Sequence, residues 1–338
     1  MNYFTLIDGD VLFYLHQYLT PSCTIMLRKV SKDFRRKYSN NTLGSKKIII
    51  EDAISYNRVD FYLEILTFLN ELPKQIHLNW TASCGSLEIL KYLHYDSKFE
   101  LQYDTYVWAA ENGQIETLKW LRSARSQDTP RTWTTRVCIN AAGNGQIETL
   151  KWLRSQEPPF PWNTATFSRA AEKGQIETLK WLRSQNPPCP WDESACARAA
   201  ENGQIETLKW LKENNCSWDE WACAYAANKG QIETLKWLRS ARSQDPPCPW
   251  DQYTCASAAE NGQIKTLKWL RSQDPPCPWN ESACAYAAMH GQIETLKWLR
   301  SQNSPWNEWT CVSAAKNGQI ETLKWLKENN CHCQGKHH

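Results

Sequence analysis

The sequence predicts an all-α solenoid of stacked helix-turn-helix units, and three observations lead to it. The segment GQIETLKWL, or a near copy, recurs nine times, with its glycine at Gly85, Gly113, Gly145, Gly174, Gly203, Gly230, Gly262, Gly291 and Gly318. Successive glycines are 28, 32, 29, 29, 27, 32, 29 and 27 residues apart, which describes a 27-residue unit with optional insertions. Each unit carries two short apolar patterns of helical period, and neither can bury its apolar side alone, so neighbouring units must stack.

The unit from Trp218 to Leu238 shows how each element arises. Asp219 is a good N-cap, and Ala222, Cys223, Ala226 and Ala227 give the following helix a small-residue face. Gly230 supplies the left-handed residue that ends this helix. Beyond it, Ile232, Leu235, Trp237 and Leu238 form the apolar stripe of a second helix, leaving Gln231, Glu233 and Lys236 for water. The alanines let the two helices approach closely.

Insertions fall at one joint, after the second helix. Arg183–Trp191 (RSQNPPCPW) and Arg239–Trp250 (RSARSQDPPCPW) are two and five residues longer than Lys212–Trp218 (KENNCSW). Paired prolines stop the helix and hold these links extended.

The run Ser194–Leu211 resembles the core of an ankyrin repeat, matching it at Ala199, Ala200, Gly203, Ile205, Leu208 and Leu211. Two departures stand out. Ser194, Ala195, Cys196 and Ala197 replace the ankyrin Thr-Pro-Leu-His tetrapeptide, and the unit is about six residues short of the usual 33. Placing Asn215–Asp219 on the closing segment of an ankyrin repeat puts the deficit in the β-hairpin finger. Helical pairs with tight connections and little or no strand are therefore expected. At an interhelical spacing of about 8–10 Å, nine or ten units would span about 80–100 Å.

The amino terminus is a different object. Between Leu6 and Tyr38, Val11, Leu12, Leu15, Tyr18 and Leu19 fall at helical spacing, and a Thr-Pro break precedes a second run from Ile25 to Phe34. With Val30, Phe34 and Arg35 this segment resembles an F-box, although Ile7 stands where that family has proline. The resemblance implies that Leu6, Ile7, Val11, Leu15 and Leu19 dock a Skp-type adaptor of a cullin-based ubiquitin ligase. A helical cap over the first repeat is the alternative, since any solenoid end needs covering. The expected organisation is an F-box-like helical domain at 1–45, a degenerate capping repeat at 46–74, nine ankyrin-like repeats at 75–330 and a disordered tail at 331–338.

Composition excludes several functions. Residues 1–50 hold eight Lys/Arg against three Asp/Glu, a net of +5 that leaves about −2 for the rest of a chain whose overall charge is +3. Every LKW lysine except Lys268, which follows Lys265, has a glutamate one turn earlier, as in Glu206 and Lys209, so no basic stripe survives and no nucleic-acid binding is expected. Neither an apolar run of eighteen residues nor a secretory leader is present, so no membrane association and a cytoplasmic location are expected, in the host cell if the protein is viral. Seven histidines without a motif-like nucleophile or carboxylate partner predict no catalytic site, and no cofactor or metal is expected.

Fourteen cysteines recur in register, with Cys189/Cys196, Cys216/Cys223, Cys248/Cys255 and Cys277/Cys284 each seven apart. Lacking CxxC or histidine spacing in the array, they are read as buried reduced thiols filling small apolar positions. The Cys331, His332, Cys333, His337 and His338 cluster is read as a frayed terminus. Of nineteen tryptophans, eight occupy the LKW column and seven precede first helices, where they can staple the helix start.

Trp80, Trp108, Trp221 and Trp309 lie outside both columns. Two first-helix columns vary from unit to unit: Asp104, Arg136, Ala165, Ser194, Trp221, Tyr253, Ser282 and Trp309, and four residues on Trp108, Asn140, Arg169, Arg198, Tyr225, Ser257, Tyr286 and Ser313. A spacing of four places both on one helix face. Because Trp, Tyr and Arg anchor interfaces, the expected partner-binding residues are Trp108, Arg169, Arg198, Trp221, Tyr225, Tyr253, Tyr286 and Trp309. Two readings remain open. In one, a monomeric receptor recruits an unknown target protein to the ligase, as in the ankyrin/F-box proteins of large DNA viruses of protists that this sequence resembles. In the other, it is a binding scaffold without a ubiquitin role.

Overall fold

The computed structural model describes residues 46–55, 57, 59–68, 72–124, 134–240 and 247–331. Among them the regular elements are all α-helices and no strand occurs, so the finger-less helical repeat expected from the 27-residue period is what forms. The F-box-like head at 1–45 and the tail beyond Cys331 lie outside the described residues. Chain contacts divide the chain into two units, 1–133 with 151–155 and 134–150 with 156–338.

The first unit contains α1 (Lys46–Ser55), α2 (Val59–Phe68), α3 (Gln75–Cys84), α4 (Leu87–Tyr95), α5 (Tyr103–Glu111) and α6 (Ile115–Ala124). Helix α1 packs on α2 and α3, and α3 packs on α5, so first helices stack on first helices. Ile54, Tyr62, Leu66, Leu78, Ile89, Leu90 and Leu93 are buried between the pairs. Ser86 Oγ donates to the Ile54 carbonyl at 2.6 Å, and the Glu88 N–H to Asn57 Oδ1 at 2.9 Å, which ties the turn after α1 to the start of α4. The buried Tyr62 hydroxyl shares a 2.5 Å hydrogen bond with His77 Nδ1, and its burial pushes the hydroxyl well above the ordinary tyrosine range.

The second unit repeats one helix pair: α7 (Arg136–Gly143) and α8 (Ile147–Arg154), α9 (Thr164–Glu172) and α10 (Ile176–Ser184), α11 (Ser194–Glu201) and α12 (Ile205–Glu213), α13 (Glu220–Asn228) and α14 (Ile232–Arg239). It continues with α15 (Gln252–Glu260) and α16 (Ile264–Arg271), α17 (Glu281–Met289) and α18 (Ile293–Ser301), α19 (Glu308–Lys316) and α20 (Ile320–Glu328). Asp219 Oδ1 accepts the Trp221 N–H at 3.1 Å, as the N-cap reading requires. At the other end of α13, Gln231 N–H bonds the Ala226 carbonyl at 2.9 Å and Gly230 N–H the Ala227 carbonyl at 3.1 Å, while Gly230 takes φ +72°. This is a Schellman closure, and only glycine adopts its left-handed position without strain.

First helices pack tightly on one another because Ala222, Cys223, Ala224, Ala226, Ala227 and their equivalents are fully buried. On the second helices the buried residues are Thr234, Leu235 and Leu238, with Trp237 half-exposed. The apolar pattern did not single out Thr234; a small β-branched side chain fits where the stripe meets the next helix.

Four devices bind each repeat to the next. Within the second unit the glutamine after a glycine reaches back over the preceding one: Gln231 Nε2 donates to the Glu201 carbonyl at 3.5 Å, and a Cβ on Gly203 would sit 2.9 Å from Gln231 Oε1. Gly318, in the last repeat, has nothing within 4 Å of that direction.

Backbone closure after the second helix is the next device. The Cys216 N–H bonds the Leu211 carbonyl at 2.9 Å, Cys189 bonds Leu182 at 3.0 Å and Cys248 bonds Leu238 at 3.0 Å. These spans of five, seven and ten residues end in the same backbone bond, so the insertions fall between two fixed points.

Tryptophans supply another tie. The expected staples pair edge-to-face with the LKW indole of their own repeat, Trp218 with Trp237 at 5.9 Å and Trp250 with Trp269 at 6.3 Å. Each also carries a cation from the repeat before, Lys212 on Trp218 at 4.1 Å and Arg239 on Trp250 at 4.1 Å. Such contacts are worth roughly 0.5–1 kcal/mol each at exposed sites.

The thiols complete the frame. The Cys223 thiol donates to the Cys248 carbonyl and the Cys255 thiol to the Cys277 carbonyl, both at 3.9 Å, and the Cys196 thiol lies against Cys216, so partners lie one repeat along from the seven-residue pairs visible in sequence. The Cys216 contact and burial raise the Cys196 thiol, while the same contact lowers that of Cys216. Burial lifts the Cys284 thiol from 9.0 to about 11. Cys311 departs from the expectation of reduced thiols, because it is disulfide-bonded. Cys331, placed at the head of the tail by the sequence, is buried and bonds the Leu326 carbonyl at 3.0 Å, the position that Cys216 has in its own repeat.

Candidate functional site

The variable columns of the first helices emerge on one surface of the second unit, and five of the expected partner-binding residues converge there. Arg198 on α11, Trp221 and Tyr225 on α13, Tyr253 on α15 and Tyr286 on α17 line a concavity of about 310 Å³. Capping fixes how they project. Asp219 and Asp251 each accept the N–H two residues on, which places Trp221 and Tyr253 in the first turn of their helices. Tyr225 follows Trp221 by one helical turn, and their rings meet at 5.7 Å. Across the repeat boundary, Trp221 stacks on Tyr253 at 6.3 Å with 28° between planes.

These rings are held against alanine-lined helices and still meet solvent. Trp221 is 44% exposed and Tyr253 42%, while Tyr225 and Tyr286 are half-buried. Large apolar surface left open on an otherwise well-packed array marks an interaction site.

Charged groups frame the rings. Arg198 Nη1 donates to Glu201 Oε2 at 2.7 Å and its guanidinium lies 5.3 Å from the Tyr225 ring centre. The Glu201 bond raises the arginine further, so it stays charged at every accessible pH. Lys229 Nζ stands 3.9 Å from the other Glu201 oxygen. Glu260 accepts from Asn228 Nδ2 at 3.1 Å and faces His290 Nε2 at 3.2 Å.

The remaining expected residues do not join this cluster. Arg169 turns to Glu172 and covers Gly143, where a Cβ would meet its Cγ at 2.8 Å. Trp309, 52% exposed, sits beneath Lys316 Nζ at 5.6 Å. Trp108 belongs to the first unit and is 39% exposed. The adaptor-binding set Leu6, Ile7, Val11, Leu15 and Leu19 lies outside the described residues.

Sequence reasoning missed Glu201, Asn228 and Glu260, which line the concavity together with Ser257 of the variable column. A signal existed: three residues after the Arg198 column the repeats read Glu172, Glu201, Asn228, Glu260, Met289 and Lys316, as variable as the columns chosen. The surface offers aromatic faces, two carboxylates and one neutralised guanidinium. Among the described residues no three His, Cys, Asp or Glu side chains gather as metal ligands, and no helix is long and apolar enough to cross a membrane.

Residues 255–337 match the family model of ankyrin repeats in three copies. No curated protein matches the chain in sequence.

Proposed function

We propose that this chain is a protein-binding array that captures a partner on the Trp221/Tyr225/Tyr253 face and carries out no chemistry of its own. Ankyrin repeats are elements of protein–protein interaction, and the match over 255–337 supports that reading at the coarse level. One observation carries the finer reading. In a frame where glycine, glutamine, threonine, leucine and tryptophan are almost invariant, exposed or half-buried aromatic side chains collect at the variable positions of three successive first helices, α13, α15 and α17.

The proposal extends to the head. The F-box-like pattern at 1–45 would dock a Skp-type adaptor through Leu6, Ile7, Val11, Leu15 and Leu19, making the chain a substrate receptor that holds its target near a ubiquitin-loaded enzyme. A pulldown of the full chain by a purified Skp-type adaptor tests it, with Leu15→Asp as control. Binding that the substitution removes, with helical content unchanged, supports the receptor. No binding by a folded chain leaves a binding scaffold without a ubiquitin role.

A further inference from the structure

Glu260 differs from the glutamates of its column in the helices α9 and α11. In α9 and α11 the carboxylate has an arginine one turn earlier on the same helix, Arg169 for Glu172 and Arg198 for Glu201. In α15 that position is Ser257. Glu201 also has a lysine from the next repeat, Lys229, and the corresponding residue opposite Glu260 is His290, charged only when protonated. Among the described residues no lysine or arginine lies within ion-pair distance of Glu260. Its carboxylate is held by Asn228, whose Nδ2 also reaches the Ser257 carbonyl at 3.3 Å and whose Oδ1 accepts from Asn261 at 2.7 Å.

Around this carboxylate stand the faces of Trp221, Tyr253 and Tyr286. Aromatic faces attract cations, tryptophan most of all, and a nearby carboxylate adds its full charge. An anion would be repelled by Glu260, and the one cation lining the concavity, Arg198, already bridges Glu201. At about 310 Å³ the space is at the low end for ligand cavities, roughly 300–1,000 Å³, and suits one long side chain.

We propose that this concavity takes a single cationic side chain of a protein partner, a lysine or an arginine, with Glu260 as counter-ion and Trp221, Tyr253 and Tyr286 as walls. The inference rests on the protein-binding reading above and names the chemistry the partner must present.

The test uses the full chain labelled with 5-fluorotryptophan, in which the Trp221 resonance is identified by its loss in Trp221→Phe. Butylammonium, butylguanidinium, tetramethylammonium and butyrate are titrated at matched ionic strength. A saturable shift of the Trp221 signal is expected with at least one cation and not with butyrate. Butylammonium then marks a lysine, butylguanidinium an arginine, and tetramethylammonium alone a methylated lysine. Glu260→Gln should weaken that binding by at least about tenfold, the scale of a charge-assisted hydrogen bond. Ser257→Arg, which restores the internal cation of the neighbouring helices, should abolish it. The proposal is overturned if no cation shifts Trp221, if butyrate acts equally, or if Glu260→Gln with unchanged circular dichroism binds as well as the parent chain. A shift that grows with protein concentration without probe would make a second copy of the chain the occupant and would also overturn it. None of these failures touches partner capture as such, which is read separately from Trp221→Ala with Tyr225→Ala.

Discussion

The two sides of one first helix obey different rules. On α13 the side toward the neighbouring helices is Ala222, Cys223, Ala226 and Ala227, all fully buried, and almost the same letters return in α11, α15 and α17. The side toward solvent holds Trp221 and Tyr225, replaced by Ser194 and Arg198 in the helix before and by Tyr253 and Ser257 in the helix after. Packing at interior density leaves no freedom in the first set, since an added methylene strains the stack and a removed one leaves a cavity. The second set contributes little to the stack and is free to specialise. Stability and recognition are thus separated by about half a turn of helix.

The strongest way to sharpen this contrast is to delete a frame side chain. Leu235→Ala should cost about 2–5 kcal/mol in urea unfolding, as buried leucine truncations do. Little change would mean that the repeats do not share a core.

Alkaline pH probes the same frame without mutation. Burial holds the Cys284 thiol near 11 in the folded chain against 9.0 ordinarily, so below pH 9 the thiol is neutral in both states and its stabilising contribution is intact. Between 9 and 11 the unfolded chain releases the proton first, and stability falls by up to about 1.4 kcal/mol per pH unit for this group. Melting temperatures should decline across that window, and less steeply in Cys284→Ala.

A finer contrast compares two glycines of the frame. Gly203→Ala and Gly318→Ala both force alanine into a left-handed conformation, at about 1–2 kcal/mol. Only the former must also displace Gln231 and its bond to the Glu201 carbonyl, a further loss of about 0.5–1.5 kcal/mol. Equal destabilisation of the two variants would remove the glutamine from the list of inter-repeat ties.

Substitution on the face should affect stability least. Trp221→Ala with Tyr225→Ala should lower it by about 1 kcal/mol or less, the scale of aromatic pairing, while weakening partner capture and, on the receptor reading proposed above, sparing adaptor binding. Loss of both activities would argue that face and frame are not separable.

Much of this was legible in the sequence because it repeats. Gly230 announced the end of α13, Asp219 its start, and the offset between Lys212–Trp218 and Arg239–Trp250 located the insertions. The variable columns led to Trp221, Tyr225 and Tyr253 for the same reason: a position that differs among near-copies is not dictated by the frame. What could not be read were relations between repeats. Cys223 stands seven residues from Cys216 but its thiol donates to the Cys248 carbonyl, because the end of the closing loop returns to its own repeat. Glu260 was passed over because its meaning lies in what faces it, Ser257 on its own helix and His290 thirty residues on. Neither relation has a signature along the chain.

The fixed hydrogen bond from each loop cysteine to the leucine of the helix before it reaches beyond mechanics. Because Cys216, Cys189 and Cys248 arrive at equivalent carbonyls after five, seven or ten residues, units of 27, 29 or 32 residues present the same joint to their neighbours and are interchangeable in the frame. Each unit brings its own pair of face residues, so reordering units would change the recognition surface while leaving the frame as it is.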